Sequence, residues 1–577
     1  MPATRAGMTA RTTARGDTVL IALALLTAAL VATPVASIVG LALRPVPELW
    51  PELVNYVLPR TLRDTALLLA GVGAVTLTLG TATAWLIATH DFPGRALLAW
   101  LLPLPLAIPT YIAAYVYVDL FEPLGLVHRA LTGLLPSSEA AALLPALRSL
   151  PGAVAVMGLV LYPYVYLSAR TMFQMQGAEV AEAARTLGAS RWITFWRISL
   201  PMARPALAVG LALALLETLN DIGASEYLGV NTFTASIFAI WLNHGSLPGA
   251  AQMACLALAV VAALVALEHY GSRGRAFSLS AENPQLAPRT RLVGAKGLAA
   301  AAACGLPVLF GFVLPLCFLA YQSLRRGLHT QVAGLAGSLT HTLIYAAIAT
   351  SAALVLGLAV LTAQRWRPGT LTRAAAAVSF IGYALPGLVL ALGLLSPLVA
   401  FDNAIGRLAR GLGLSSPGLL LIGSGAAVTI AYVIRFLAVA SGFFRAAYAR
   451  IPLDYDDGAR VTGAGQFTTM RRVHLPLLRP ALWSAGIIVF VDCLKELPAT
   501  LLLRPLNVET LATSIYQYAS RGSFEDGALA ALLIVAASMV PVIFLTRLAD
   551  APLKADSTEP AAPQSIPVPQ ALVSATR

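Results

Sequence analysis

EVAEAARTLGASRWITFWRISLPMARPAL, running from Glu179 to Leu207, is a polar and basic insert with very apolar sequence on both sides. Within it Glu182-Ala183-Ala184, three residues, Gly188, nine residues, then Ile198-Ser199-Leu200-Pro201 form one spaced pattern. Glu182 to Leu187 is a run of good helix formers, Gly188 suits a left-handed turn that ends it, and Ser190 suits the cap of the next helix. Pro201 is expected to close that second helix. The spacing therefore predicts a helix-turn-helix knob between two membrane spans, with Val180, Ala184 and Leu187 on one face.

The pattern returns 275 positions later. Asp457-Gly458-Ala459, three residues, Gly463, nine residues, then Val473-His474-Leu475-Pro476 repeats the spacing without a gap, and Arg204-Pro205-Ala206-Leu207 returns as Arg479-Pro480-Ala481-Leu482. Two copies of one knob imply two copies of one membrane unit.

Composition agrees with a chain that uses lipid as part of its solvent. Of 577 residues 58% are hydrophobic and 11% charged, far below the ~25% charge of soluble domains. The net charge of +12 lies in short loops between apolar runs, which fits membrane orientation and not nucleic-acid binding. Cys255, Cys304, Cys317 and Cys493 fall in apolar segments without paired spacing, so no disulfide framework or thiolate metal site is indicated. The three lysines, Lys296, Lys495 and Lys554, do not follow a glycine. A phosphate-cradling P-loop needs Gly-Lys-Ser/Thr, so the energy source is expected on a partner or in an ion gradient.

The fold class expected is an all-α membrane protein of about 12 transmembrane helices in two six-helix repeats, each span near the ~20 residues that cross ~30 Å of hydrocarbon. Residues 1–17 read as a cytoplasmic leader, 18–271 as the first unit with its loop at 177–203, and 272–296 as a basic, proline-bearing cytoplasmic linker. Residues 297–549 read as the second unit with its loop at 450–478, and 550–577 as a disordered tail. Both termini, the knobs and the linker are expected in the cytoplasm, since that frame puts most Lys and Arg inside. The twelve spans fall near 18–43, 63–88, 96–120, 151–174, 204–228 and 250–268, then 297–322, 341–364, 374–400, 417–442, 479–503 and 527–546. Pro109 and Pro386 occupy matching spans and predict a kink or break in each, with or without a role in transport.

The span after each knob carries charge. Glu217 and Asp221 correspond to Asp492 and Glu496, and Lys495 stands where the first half has Asn220. Such residues cost about 2.5 to 3.5 kcal/mol at mid-membrane, so they face protein or a watery path. Two readings are open: they line a translocation route, or they pair with one another and fix helix packing. Direct metal coordination by these carboxylates is a third. Arg435 is expected to snorkel or to pair with a neighbouring helix; Tyr111, Tyr115, Tyr117, Tyr162, Tyr164 and Tyr166 suit an aromatic binding site or, the preferred reading, anchoring at the membrane interface.

The knob resembles the EAA loop of ABC-importer permease subunits, written E-A-A, three residues, G, nine residues, I, any residue, L-P. The first copy matches fully. The second keeps a carboxylate, glycine and Leu-Pro but has Gly458 for alanine and Val473 for isoleucine. The resemblance implies type I importer architecture, with Glu182, Ala183, Ala184, Gly188, Ile198, Leu200, Pro201, Asp457, Gly458, Ala459, Gly463, Val473, Leu475 and Pro476 coupling the spans to two copies of a cytoplasmic ATPase. It also implies a periplasmic binding protein outside, ATP and magnesium held by the ATPase chain alone, no catalysis in this chain, and residence in the bacterial inner membrane. Flanking runs, Glu217 to Ala224, Tyr227 to Thr234, Pro109 to Tyr115 and Leu494 to Leu502, resemble fused ferric-iron permeases. Thiamine and polyamine permeases are built alike, a gradient-driven secondary transporter is the competing class, and whether the chain itself holds a metal is left open.

Overall fold

The computed structural model describes residues 3–122, 125–134, 136, 144–176, 186, 188, 190–272, 289–326 and 328–550. Glu182, Ala183 and Ala184, most of the linker, and the tail beyond Asp550 lie outside them. The first helix, α1 (Ala3–Ala42), runs on from the leader without a break. Eleven helices among the described residues are long and apolar enough to cross a membrane. A twelfth crossing results if two helical segments bent by 92°, Arg95–Ala107 and Thr110–Thr132, count as one span. That bend falls at Pro109, in the third span.

The elements that build the first half are α2 (Leu58–Thr89), α3 (Arg95–Leu101), α4 (Thr110–Phe121), α5 (Leu150–Met175), α6 (Leu200–Asn220), α7 (Ile222–Tyr227), α8 (Phe233–His244) and α9 (Leu247–Ser272). The second half comprises α10 (Ala295–Val308), α11 (Leu314–Arg325), α12 (Leu328–Trp366), α13 (Thr370–Ser379), α14 (Gly387–Gly411), α15 (Ala426–Tyr448), α16 (Asp454–Val461), α17 (Leu475–Leu494), α18 (Pro498–Leu503), α19 (Leu511–Ser520) and α20 (Ala528–Asp550). Strand is confined, among the described residues, to a two-residue parallel pair. There His90–Asp91, at the foot of α2, binds Thr290–Arg291 from the end of the linker.

Four π turns share one sequence cause. Leu53–Val57, Phe195–Ser199, Leu309–Val313 and Met470–His474 are each followed directly by Leu-Pro, with Pro59, Pro201, Pro315 and Pro476. A proline inside a helix lacks the donor and its ring strikes the carbonyl four residues back. Widening the preceding turn by one residue moves that carbonyl aside and lets the helix continue. Pro201 therefore does not close the second helix of the knob, as its position suggested. The chain passes from Arg191 through the π turn into α6 as one rod, and Pro476 is passed in the same way.

Some span boundaries move. The fifth span ends at Asn220 and not at 228, and the eleventh at Leu494 and not at 503, each followed by a separate short helix. The ninth is interrupted at Leu385-Pro386, so that its long rod is α14. The tenth begins only at Ala426, because the backbone N–H groups of Leu421 and Ile422 donate to buried Asp402, which holds the preceding residues as a loop.

The two sequence repeats are not two separate bodies. The first span of each half crosses to the other: α1 packs on α12, α13 and α14 as well as α9, while α10 packs on α2 and α3, and α11 on α4. Glycine permits this contact. A side chain at Gly393 would collide with the Pro34 carbonyl of α1, and a Cβ at Gly311 would lie 2.6 Å from the Leu159 carbonyl of α5. Large apolar side chains such as Leu26, Val355 and Trp483 stay exposed on the outer wall, as a lipid-facing surface requires.

Candidate functional site

Where the halves meet, the helix breaks of both converge. Pro109 ends the first arm of the third span, and Thr110, the first residue of α4, donates its hydroxyl to Asp221. Asp221 is itself the break between α6 and α7 and caps α7 by accepting from the Ala224 N–H at 2.8 Å. The second half repeats the arrangement with different chemistry. Buried Pro386 starts α14 at Gly387, whose backbone lies against Glu496. Glu496 accepts from the N–H groups of Ala499 (3.0 Å) and Thr500 (3.1 Å) and from the Thr500 hydroxyl (2.8 Å).

These breaks enclose a cavity of about 110 Å³. Glu217, Asp221, Asp492, Lys495 and Glu496 all line it, together with Pro109, Tyr111, Tyr164, Tyr383 and Arg435. Glu217 and Asp221, four residues apart, would share a face of a continuous helix, but the helix ends between them. Lys495 Nζ lies 3.0 Å from Asp492 Oδ1, and Arg435 Nη1 lies 3.7 Å from Glu496 Oε1. Two of the acids thus pair with cations, as the packing reading expects, while all four line one polar space. Arg435 pairs with a neighbouring helix, one of the two options its position left.

The cavity is symmetric in position and asymmetric in charge. Asp492, Lys495, Glu496 and Arg435 have counterparts 275 residues earlier in Glu217, Asn220, Asp221 and Val160, and all eight residues line the cavity. Both cations come from the second half, where they offset its two acids. The two carboxylates of the first half have no cation in their own half on this lining. Among the described residues no three His, Cys, Asp or Glu side chains are grouped to hold a metal ion.

Of the six tyrosines expected at the membrane interface, five are buried instead and Tyr164 is half-buried. Tyr162 donates to the Leu102 carbonyl (2.8 Å), Tyr166 to that of Ala99 (3.2 Å) and Tyr117 to that of Phe310. Each hydroxyl thereby satisfies a carbonyl near a helix end or π turn, which apolar packing alone could not do.

The knobs follow the predicted turn chemistry. Gly188 and Gly463 both adopt positive φ, 74° and 75°, and the Ile193 N–H donates to Ser190 Oγ at 3.4 Å. Ile198, Leu200 and Pro201 are half-buried at the foot of α6, as Val473 and Leu475 are at the foot of α17, with Pro476 exposed. Asp457 points outward and pairs with Arg460 at 3.3 Å. Gly458 and Ala459 lie along α16, and nothing stands within 4 Å of where a Gly458 Cβ would be.

Its neighbour Asp456, which the motif does not single out, is buried. It accepts from Arg365 Nε (2.8 Å), Trp366 Nε1 (3.2 Å) and His474 Nε2 (2.8 Å). Burial pushes the Asp456 carboxyl up, the Arg365 hydrogen bond and the nearby charges push it down, and the net direction is downward.

The sequence matches the family described as binding-protein-dependent transport system inner membrane component, twice, over residues 76–273 and 354–554. It is similar to the Fe(3+)-transport system permease protein FbpB 2 of Haemophilus influenzae, 24% identical over 85% of this chain and 90% of that one. A similarity to the sulfate transport system permease protein CysT of Escherichia coli, 30% identical, covers 31% of this chain and 64% of the other. The molybdenum transport system permease protein ModB of Escherichia coli is 29% identical over 32% of this chain and 80% of its own length.

Proposed function

We infer the cargo and working parts of this chain from the family it belongs to, the inner-membrane components of binding-protein-dependent transport systems, and from the charge of its central cavity. The chain is a multi-pass permease subunit of an ABC importer, with two family units fused in one polypeptide. The cargo we assign is ferric iron. One observation carries this: four carboxylates and two cations line the cavity, and the excess of negative charge lies in the first half. A sulfate or molybdate ion would meet repulsion there, and low dielectric strengthens it. A cavity of about 110 Å³ has room for several waters or a small ion and is far smaller than the ~300 Å³ and more of drug-sized ligand pockets, which disfavours thiamine and spermidine. The chain-length similarity to an Fe(3+) permease supports the same reading.

In this proposal the cargo arrives from a periplasmic binding protein and passes between the two helix breaks. Glu217, Asp221, Asp492, Lys495 and Glu496 form the path. Gly188 and Gly463 set the turns of the two knobs, which dock on two ATPase copies in the cytoplasm, where the termini also lie. ATP and magnesium belong to those partners, and this chain contributes no catalytic residue. Closure of the ATPases moves α6 and α17, which run unbroken from knob to cavity, so each stroke reaches the carboxylates without an intervening hinge. Uptake into vesicles with ATP inside, comparing ferric iron, sulfate, molybdate, thiamine and spermidine with the cognate binding protein, tests the assignment. Ferric iron is expected to enter alone, and oxyanion uptake without iron uptake would overturn it.

A further inference from the structure

The network around Asp456 lies outside both the cavity and the exposed docking face of the second knob. Arg365 and Trp366 at the foot of α12 bind Asp456 in α16, and Arg365 also donates to the carbonyls of Tyr448 (3.1 Å), Ile451 (3.0 Å) and Pro452 (3.0 Å). His474, at the foot of α17 and fully buried, presents Nε2 to Asp456. An ionised carboxylate only accepts, so Nε2 carries the proton and Nδ1 is left to accept from the Tyr448 hydroxyl at 3.3 Å. Thr362 of α12 completes the chain at 2.8 Å from that hydroxyl.

One carboxylate thus joins the knob to α12 and α17 directly and to α15 through Tyr448. The first half does not repeat the residues of this lock at the matching positions. Ala181, Ser199 and Phe173 stand 275 residues before Asp456, His474 and Tyr448. In α2, where the matching threonines Thr65 and Thr342 differ by 277, Ala88 and Trp85 stand for Arg365 and Thr362. Trp85 of α2 sits edge-on to Phe173 at 5.2 Å and tilted on Phe195 at 4.8 Å.

We propose that Asp456, with Arg365 and His474, is a positioning cluster that makes the second knob a rigid extension of three membrane helices, so that motion of the ATPase docked there reaches the spans without loss. This connection is directional and charged, and a buried charged network has few alternative arrangements. The proposal rests on the importer reading above. It is tested in vesicles holding the full complex of this chain, its ATPase and its binding protein, with radiolabelled ferric iron as the probe and ATP consumption measured in parallel.

Asp456→Asn keeps the shape and removes the charge. The variant is expected to bind the ATPase in wild-type amount yet move about three- to tenfold fewer ions per ATP, while Asp456→Glu recovers much of the loss. A wild-type ratio in Asp456→Asn overturns the proposal. Should that variant fail to assemble, Tyr448→Phe decides, since it deletes one hydroxyl inside the fold: a lowered ratio supports the lock and an unchanged one overturns it. Wild-type complex that hydrolyses no ATP in response to binding protein would overturn the importer reading and this inference together, whereas normal wild-type transport beside an unaltered Asp456→Asn overturns the inference alone.

Discussion

Adding one methyl group at Gly387 is expected to destabilise the junction between the halves, and the structure fixes the size of the effect. A Cβ there would lie 2.7 Å from Glu496 Oε1 and 3.2 Å from Pro498 Cβ, and closer still to Arg435 Nη1. Arg435 is the far end of a flexible side chain and can turn away, at the expense of its ion pair. Glu496 cannot, because the N–H groups of Ala499 and Thr500 hold both its oxygens. Overpacking of a tight interior costs about 1–3 kcal/mol, and loss of the Arg435 contact puts Gly387→Ala in the upper part of that range, about 2–3 kcal/mol. The same chemical change at Gly458 meets nothing within 4 Å and is expected to gain up to about 1 kcal/mol from helix propensity.

Buried thiols give the assay. Cys304 and Cys493 are shielded, Cys255 is half-buried and Cys317 is exposed, so in a Cys255→Ser, Cys317→Ser background, labelling by a thiol-reactive dye reports unfolding of the detergent-solubilised protein. Gly387→Ala should label at lower temperature and Gly458→Ala at higher. Labelling of Gly387→Ala at or above the wild-type temperature would refute the assigned crowding at the proline break.

Glu217→Gln removes one of the two acids not offset within the first half, and the KM for ferric iron uptake should rise about three- to tenfold with assembly unchanged; an unaltered KM would remove Glu217 from the path. Gly188→Val forces a β-branched residue to a φ of 74°, costing about 1–2 kcal/mol. It should leave ATP hydrolysis running with little uptake, and normal ATP-driven uptake would contradict the role given to the turn. Asp456 titrates below the ordinary carboxylate range, so it contributes stability above its unfolded pKa that is lost as pH falls through the lower folded one. Acid unfolding followed by tryptophan fluorescence should therefore be less steep in Asp456→Asn than in wild type, and identical acid profiles would show that the carboxylate is not held down.

Much of the membrane architecture was legible in the chain. Apolar runs of spanning length, a knob repeated at a fixed offset and two left-handed glycines are local signals, since each depends on residues near one another in sequence. Proline was legible only in part. Pro109 and Pro386 mark true breaks, but Pro201 and Pro476 do not end their helices, because a π turn before each Leu-Pro absorbs the missing donor. Asp456 went unnoticed because its signal is not local: Arg365 lies 91 residues away, and the EAA spacing draws attention to Asp457 beside it. The six tyrosines misled for a related reason, since amphipathic rings suit a membrane interface as well as a buried carbonyl.

By itself, then, the amino-acid order determined the number of crossings, their pairing into two units, the chemistry of the turns and the presence of acids after each knob, all consequences of hydrophobic run length and backbone preference. The exchange of first spans between the halves, the meeting of two proline breaks with two capping carboxylates, and the placement of both cavity cations on one side were decided only in three dimensions. Those features depend on which distant helices can approach closely enough for a charge in low dielectric to find its partner, and no periodicity along the chain encodes that distance.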